Sequence, residues 1–153
     1  MSMGGSYIAL HKDRLDALLA NPQASLSAFV FDEANQALIT RYSLEQAWDA
    51  FRCLFEDDLP ELNGSELLQD ADLGEGCFLI SADEVSNLAR KLSAFTAEDL
   101  KHSFDSEWFQ NADIYWGETY KTNFKDFFDI FNGLVKFFEG AASRDEAMLY
   151  YVG

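Results

Sequence analysis

Apolar positions recur with helical spacing near the C-terminus. Phe124, Phe127, Phe128, Phe131, Leu134, Val135 and Phe138 form one continuous stripe of an α-helix. Gly140 reads as its stop. Leu44, Ala47, Trp48, Phe51, Leu54 and Phe55 form a second stripe of the same kind, which predicts one helix running on from Ser43. Packed together, the two stripes give the expected core: Leu44, Trp48, Phe51 and Phe55 against Phe124, Phe127, Phe128, Phe131 and Leu134. Shorter helical faces come from Leu15, Leu18 and Leu19, and from Leu26, Phe29 and Val30. Asn21 and Pro22 end the first of these and open the second, because Asn caps a helix and Pro is tolerated at its first position. A polar connection through Asp32 and Asn35 follows.

Ser81 with Glu84 three residues on makes a capping box ahead of Val85, Leu88, Ala89 and Leu92, and Thr96 with Asp99 repeats the pattern. Residues 105–117 are aromatic and irregular, as in a long loop. Short β-type runs lie at 6–10, 77–80 and 147–152. The pattern thus predicts a single α+β domain over residues 1–153, helix-rich, with about six helices packed around a small sheet of about three short strands.

Charge changes this picture from the outside. The chain carries 27 Asp and Glu against 11 Lys and Arg, a formal net charge of −16, yet it also has 14 Phe, 6 Tyr and 3 Trp. A disordered acidic tail would lack those rings, so the expectation is a folded domain with a strongly negative surface. Such a field repels phosphates and anionic membranes and steers cationic partners inward, which argues against nucleic-acid binding. No apolar run approaches the roughly 18 residues of a spanning helix, and the first residues lack the basic start and apolar run of a secretion signal. A cytoplasmic location is the corresponding expectation, with Cys53 and Cys77 as reduced core thiols rather than a disulfide.

Candidate chemistry is sparse. Asp70, Asp72, Gly74 and Glu75 resemble the start of a calcium loop, but its sixth position is Glu75 instead of Gly and its twelfth is Ser81 instead of Glu. His11 and His102 have no partners at zinc-ligand spacing, and Cys77 has no local signature of a nucleophile. Phosphate-binding, nucleophile-elbow and metalloprotease motifs are absent from the sequence. Neither a catalytic residue, a cofactor nor a metal is assigned.

Two features instead suit a partner. Between Cys53 and Ala89 there is no Lys or Arg, while Glu56, Asp57, Asp58, Asp70, Asp72 and Glu75 accumulate with other acids. Trp108, Phe109, Ile114, Tyr115, Trp116 and Tyr120 interleave with Glu107, Asp113 and Glu118. These rings either dock a long loop onto the core, the commoner use, or anchor a partner in the manner of interface Tyr and Trp. The candidate partner-binding set is Glu56, Asp57, Asp58, Asp70, Asp72, Glu75, Trp108, Tyr115 and Trp116.

Met3-Gly4 before the first β-type run, the segment Leu44-Glu45-Gln46-Ala47-Trp48-Asp49-Ala50-Phe51, Ser81-Ala82-Asp83-Glu84-Val85, Ile114-Tyr115 and the Phe-rich last helix leading into Ala141-Ala142 resemble the YfbM-like family of uncharacterised bacterial proteins. The resemblance spans nearly the whole chain and implies a single cytoplasmic α+β domain without a reaction or catalytic residues to carry over. The functional expectation is an acidic, non-catalytic binding protein, such as an immunity or inhibitor protein neutralising a cationic toxin, for example a nuclease. The alternative is a small enzyme or small-molecule binder with a pocket built from Trp48, the Tyr115 region and acidic side chains.

Overall fold

The computed structural model describes residues 2–153. Along them run β1 (Gly5–His11), α1 (Lys12–Ala20), α2 (Leu26–Phe31), a 3-10 turn (Glu33–Leu38), β2 (Thr40–Glu45) and α3 (Trp48–Phe55). A second 3-10 turn (Pro60–Asn63), β3 (Glu66–Leu67), β4 (Cys77–Ile80), α4 (Ala82–Ala94) and α5 (Ala97–Asp105) follow. The chain closes with α6 (Glu107–Asn111), α7 (Gly117–Tyr120), α8 (Phe124–Ser143) and β5 (Glu146–Val152). The strands form one antiparallel sheet in the order β2-β1-β5-β4-β3, so the two ends of the chain pair at its centre.

Side-chain alternation along the central strands builds a core on each face. Tyr7 and Ala9 of β1, Met148 and Tyr150 of β5, and Ile80 of β4 enter the larger core, where α3, α4, α5, α6 and α8 pack. Ile8, Leu10, Ala147, Leu149 and Cys77 point the other way, into a smaller core closed by Leu15 of α1 and by Leu26 and Val30 of α2. Cys53 lies in the larger core and Cys77 in the smaller; both are free thiols, and burial disfavours the thiolate of each and pushes its pKa up, that of Cys77 to about 11. The chain is therefore an α+β domain, with helices around an antiparallel sheet, as the hydrophobic pattern predicts.

The element count is corrected: among the described residues there are five strands, not about three, and eight α-helices with two 3-10 turns, not about six helices. β2 lies where the pattern predicts the start of a helix. Leu44 belongs to this strand, and α3 begins only at Trp48 after a turn. The second helix does not open at Asn21 and Pro22 but at Leu26, with the Ser25 hydroxyl accepting from the Ala28 amide as its cap. Gly140 does not end the last helix, which continues to Ser143. Residues 105–117, expected to be irregular, contain α6 and lead into α7.

The expected core pairing holds at its centre. Phe51 stacks on Phe127 with centroids 4.4 Å apart, and Phe55 on Phe131 at 5.9 Å. Trp48, Phe124 and Phe128 are only partly buried and pack on the rim of this core. Gly133 lets α8 approach the sheet edge closely: a Cβ there would stand 2.3 Å from the Tyr42 hydroxyl, which donates to the Ile130 carbonyl at 2.7 Å.

The capping box of α4 is complete. The Ser81 hydroxyl accepts from the Glu84 amide at 3.2 Å, and the Glu84 carboxylate accepts from the Ser81 amide at 3.1 Å and from the Ser65 hydroxyl at 2.8 Å. Partial burial opposes ionisation of Glu84, but these bonds outweigh it and hold its carboxyl below its ordinary value of 4.5. A carboxyl depressed by folding stabilises the native state above its unfolded value and loses that contribution as pH falls through the folded one. Carbon-detected NMR titration should place the Glu84 midpoint below 4.5, and Ser65→Ala should move it upward.

Candidate functional site

The aromatic segment is fixed to the domain from three sides. Asp49, in the first turn of α3, accepts from the Tyr115 amide at 2.9 Å through one carboxylate oxygen and from Arg52 Nε at 2.6 Å through the other. Arg52 also reaches Glu56 at 3.0 Å, one turn on along the same helix. The Tyr115 hydroxyl accepts from the Met3 amide at 2.9 Å, and its ring lies 5.9 Å from that of Trp48. Gln110 holds the two ends of the segment together, its side-chain amide donating to the Phe104 carbonyl at 2.8 Å and to the Lys121 carbonyl at 3.2 Å. Phe109 and Ile114 are buried beneath it.

Within this frame Trp108 and Trp116 are each 47% exposed. Trp116 has a left-handed backbone, φ 56° and ψ 34°, unusual for a bulky residue, immediately ahead of Gly117. Glu107, Asp113 and Glu118 are exposed along the same stretch. A cleft of ≈ 380 Å³ is lined here by Gln110, Asp113, Ile114, Gly117, Glu118, Lys121 and Thr122. The Lys121 ammonium is already engaged, donating to the Ala112 carbonyl.

The structure divides the candidate acids. Glu56, Asp57 and Asp58 follow α3 on the larger-core side, and Glu56 is linked to the aromatic segment through Arg52 and Asp49. Burial pushes the pKa of the Cys53 thiol up; Arg52 and Lys121 oppose that rise, while Glu56 and Asp49 add to it. Asp70, Asp72 and Glu75 belong to the loop whose Leu73 enters the smaller core, on the other face of the sheet. Asp72 is occupied structurally, accepting from the Ser25 hydroxyl and from the Ser27 amide at 3.0 Å, bonds that lower its carboxyl below 3.8 and fix the start of α2. The acidic stretch is continuous in sequence but not one patch in space.

His11 caps α1, its Nδ1 accepting from the Asp13 amide at 3.2 Å, and His102 is exposed on α5. Among the described residues no group of three or more His, Cys, Asp or Glu is placed to hold a metal ion. No helix there is long and apolar enough to cross a membrane. The residue that sequence reasoning passed over is Asp49, whose signal is the spacing of Asp49, Arg52 and Glu56 along one helical face. The indole Nε1 of Trp48 is buried without a hydrogen-bond partner among the described residues.

Comparison with solved structures finds the crystal structure of YfbM from Escherichia coli, a protein of unknown function, with a TM-score of 0.70 over 98% of this chain and 99% of that one. Identity between the two is 14%, so the likeness is one of fold. Comparison with curated proteins found no match. The family model of a domain of unknown function, DUF1877, matches residues 1–151, and the chain belongs to that family.

Proposed function

We propose that this is a non-catalytic acidic binding protein, an inhibitor or immunity protein that neutralises a cationic protein such as a nuclease toxin. The observation that carries the reading is the pair of half-exposed indoles, Trp108 and Trp116, on one segment rimmed by Glu107, Asp113 and Glu118. Exposed Trp on an ordered scaffold is the residue type of interface anchors, and the surrounding negative field suits a surface that must itself attract phosphate. Asp49 and Arg52 join this segment to Glu56, with Asp57 and Asp58 next in the chain, so the partner face combines both. Asp70 and Glu75 contribute to the long-range field from the other side of the sheet; Asp72 serves α2.

Charge and anchors have separable kinetic effects. Rim charge sets the rate of encounter, while desolvated anchors set the lifetime of the complex. With a partner captured from native cells at low salt, changing Glu56, Asp57 and Asp58 to Lys is expected to slow association by about tenfold or more and flatten its salt dependence. Trp116→Ala is expected mainly to speed dissociation. Stopped-flow mixing over a range of ionic strength separates the two, and association that stays equally fast and equally salt-dependent in the charge-reversed protein refutes the reading.

A further inference from the structure

We infer that the free edge of β2 pairs antiparallel with β2 of a second copy of this chain, joining two five-stranded sheets about a two-fold axis. The ends of the sheet fix which way each backbone group points. Gly4 and Gly153 exchange both amide bonds, at 3.1 and 2.9 Å, so the even residues of β1 turn their N–H and C=O groups toward β5 and the odd ones toward β2. Tyr7 lies opposite Tyr42 and Ala9 opposite Thr40. Thr40 and Tyr42 therefore bond to β1, and the N–H and C=O groups of Arg41 and Ser43 point out of the sheet. No backbone bond beyond the ladder reaches those four groups among the described residues, and Thr40, Arg41 and Ser43 are exposed. The irregularity in the pairing falls past Ser43, opposite Gly5, so it does not interrupt them.

A second copy fits because one register satisfies all four groups at once. With Tyr42 opposite Tyr42 of the second copy, Arg41 faces Ser43 and Ser43 faces Arg41, and each such pair exchanges two hydrogen bonds. No like charges then stand opposite one another, and each Arg41 lies diagonal to Glu45 of the other copy, within reach of a long side chain. Phe31, 58% exposed, lies under the Arg41 guanidinium at 5.5 Å and adds apolar surface beside the edge. Repulsion between two chains of net charge −16 is locally relaxed here, since no Asp or Glu lies between Glu33 and Glu45. The opposite edge, β3, is two residues long and lies in the acidic stretch without Lys or Arg, so it offers no equivalent.

Analytical ultracentrifugation of the full chain, with amide hydrogen exchange followed by NMR at low and high concentration, provides the test. The mass is expected to double as concentration rises, and exchange of the Arg41 and Ser43 amides to slow in step with it by about tenfold or more. The Thr40 and Tyr42 amides, bonded to β1, should be slow at both concentrations. Ser43→Glu, opposite Arg41 of the other copy, should tighten the dimer about threefold, and Ser43→Lys should weaken it by about as much. Overall charge alone predicts the reverse, because Lys lowers and Glu raises the net negative charge. Both variants lose the same bond from the Glu45 amide to the Ser43 hydroxyl, so the contrast between them is free of that loss. Unchanged exchange at Thr40 and Tyr42 verifies that each variant folds. A chain that stays monomeric up to about 1 mM, a dimer in which the Arg41 and Ser43 amides still exchange freely, or tightening by Ser43→Lys would each overturn the assignment. So would protection of these two amides only in a complex with a different protein, which would give the edge to a foreign strand.

Discussion

Phe127→Ala is expected to lower the unfolding free energy by about 3–5 kcal/mol, out of the roughly 5–15 kcal/mol typical of a domain. Phe127 is fully buried where α8 meets three other helices. Its ring stacks on Phe51 of α3 at 4.4 Å, meets Phe104 of α5 at 5.4 Å and Phe109 of α6 at 6.0 Å. Deletion leaves a void whose lining comes from elements that cannot all collapse inward together, so lost transfer energy and lost packing add. Phe128→Ala, one residue along, should be distinctly milder, because that ring is partly exposed and stacks on Phe124 at the helix surface. Urea unfolding of the two variants side by side measures the difference. Equal losses would mean that α8 is rotated about its axis relative to the arrangement described.

Gly64→Ala should be almost as damaging, at about 2–5 kcal/mol, by combining backbone strain with overpacking. Gly64 ends the 3-10 turn with φ 90° and ψ 144°, a conformation open chiefly to glycine, and its amide donates to the Glu61 carbonyl at 2.9 Å. A Cβ built there would stand 2.1 Å from Cβ of Phe78, an atom close to the backbone of a paired strand that cannot swing aside. Gly76→Ala is the internal control, since its added methyl would meet only the Phe78 ring at 3.7 Å, an ordinary contact. That change should be close to neutral in the same denaturation measurement. A neutral Gly64→Ala would show that β3 is not held against β4 in the way described.

Where local chemistry and tertiary packing agree, the sequence is easily read. Ser81 and Glu84 announce α4 because a capping box satisfies orphan amides whatever lies beyond. The Phe stripe of α8 is long enough for its period to be unmistakable. β2 is hidden because Tyr42 and Leu44 enter the same core as Trp48 and Phe51, so the spacing from Leu44 to Trp48 imitates one helical turn across a strand-to-helix junction. β3 has two residues and α6 and α7 have five and four, too few to show any period. The exposed indoles are legible as an aromatic cluster, but the bonds that fix Tyr115 within it come from Asp49 and Met3, both remote in sequence. Similarly, the division of the acids follows from the path of the chain around the sheet, which charge alone does not encode.

The two thiols, one under each face of the sheet, make the protein its own pair of opening reporters. A thiol reagent reaches a buried cysteine only when its surroundings part, and the rate reflects the free energy of that opening. Modification of Cys77 would time the release of α1 and α2 from the smaller core, and modification of Cys53 the release of α3 from the larger one. Equal protection would mean that both layers yield only in global unfolding. Earlier reaction at Cys77 would show that the smaller layer detaches while the Phe-rich layer, and the tryptophan segment seated on it, remain in place.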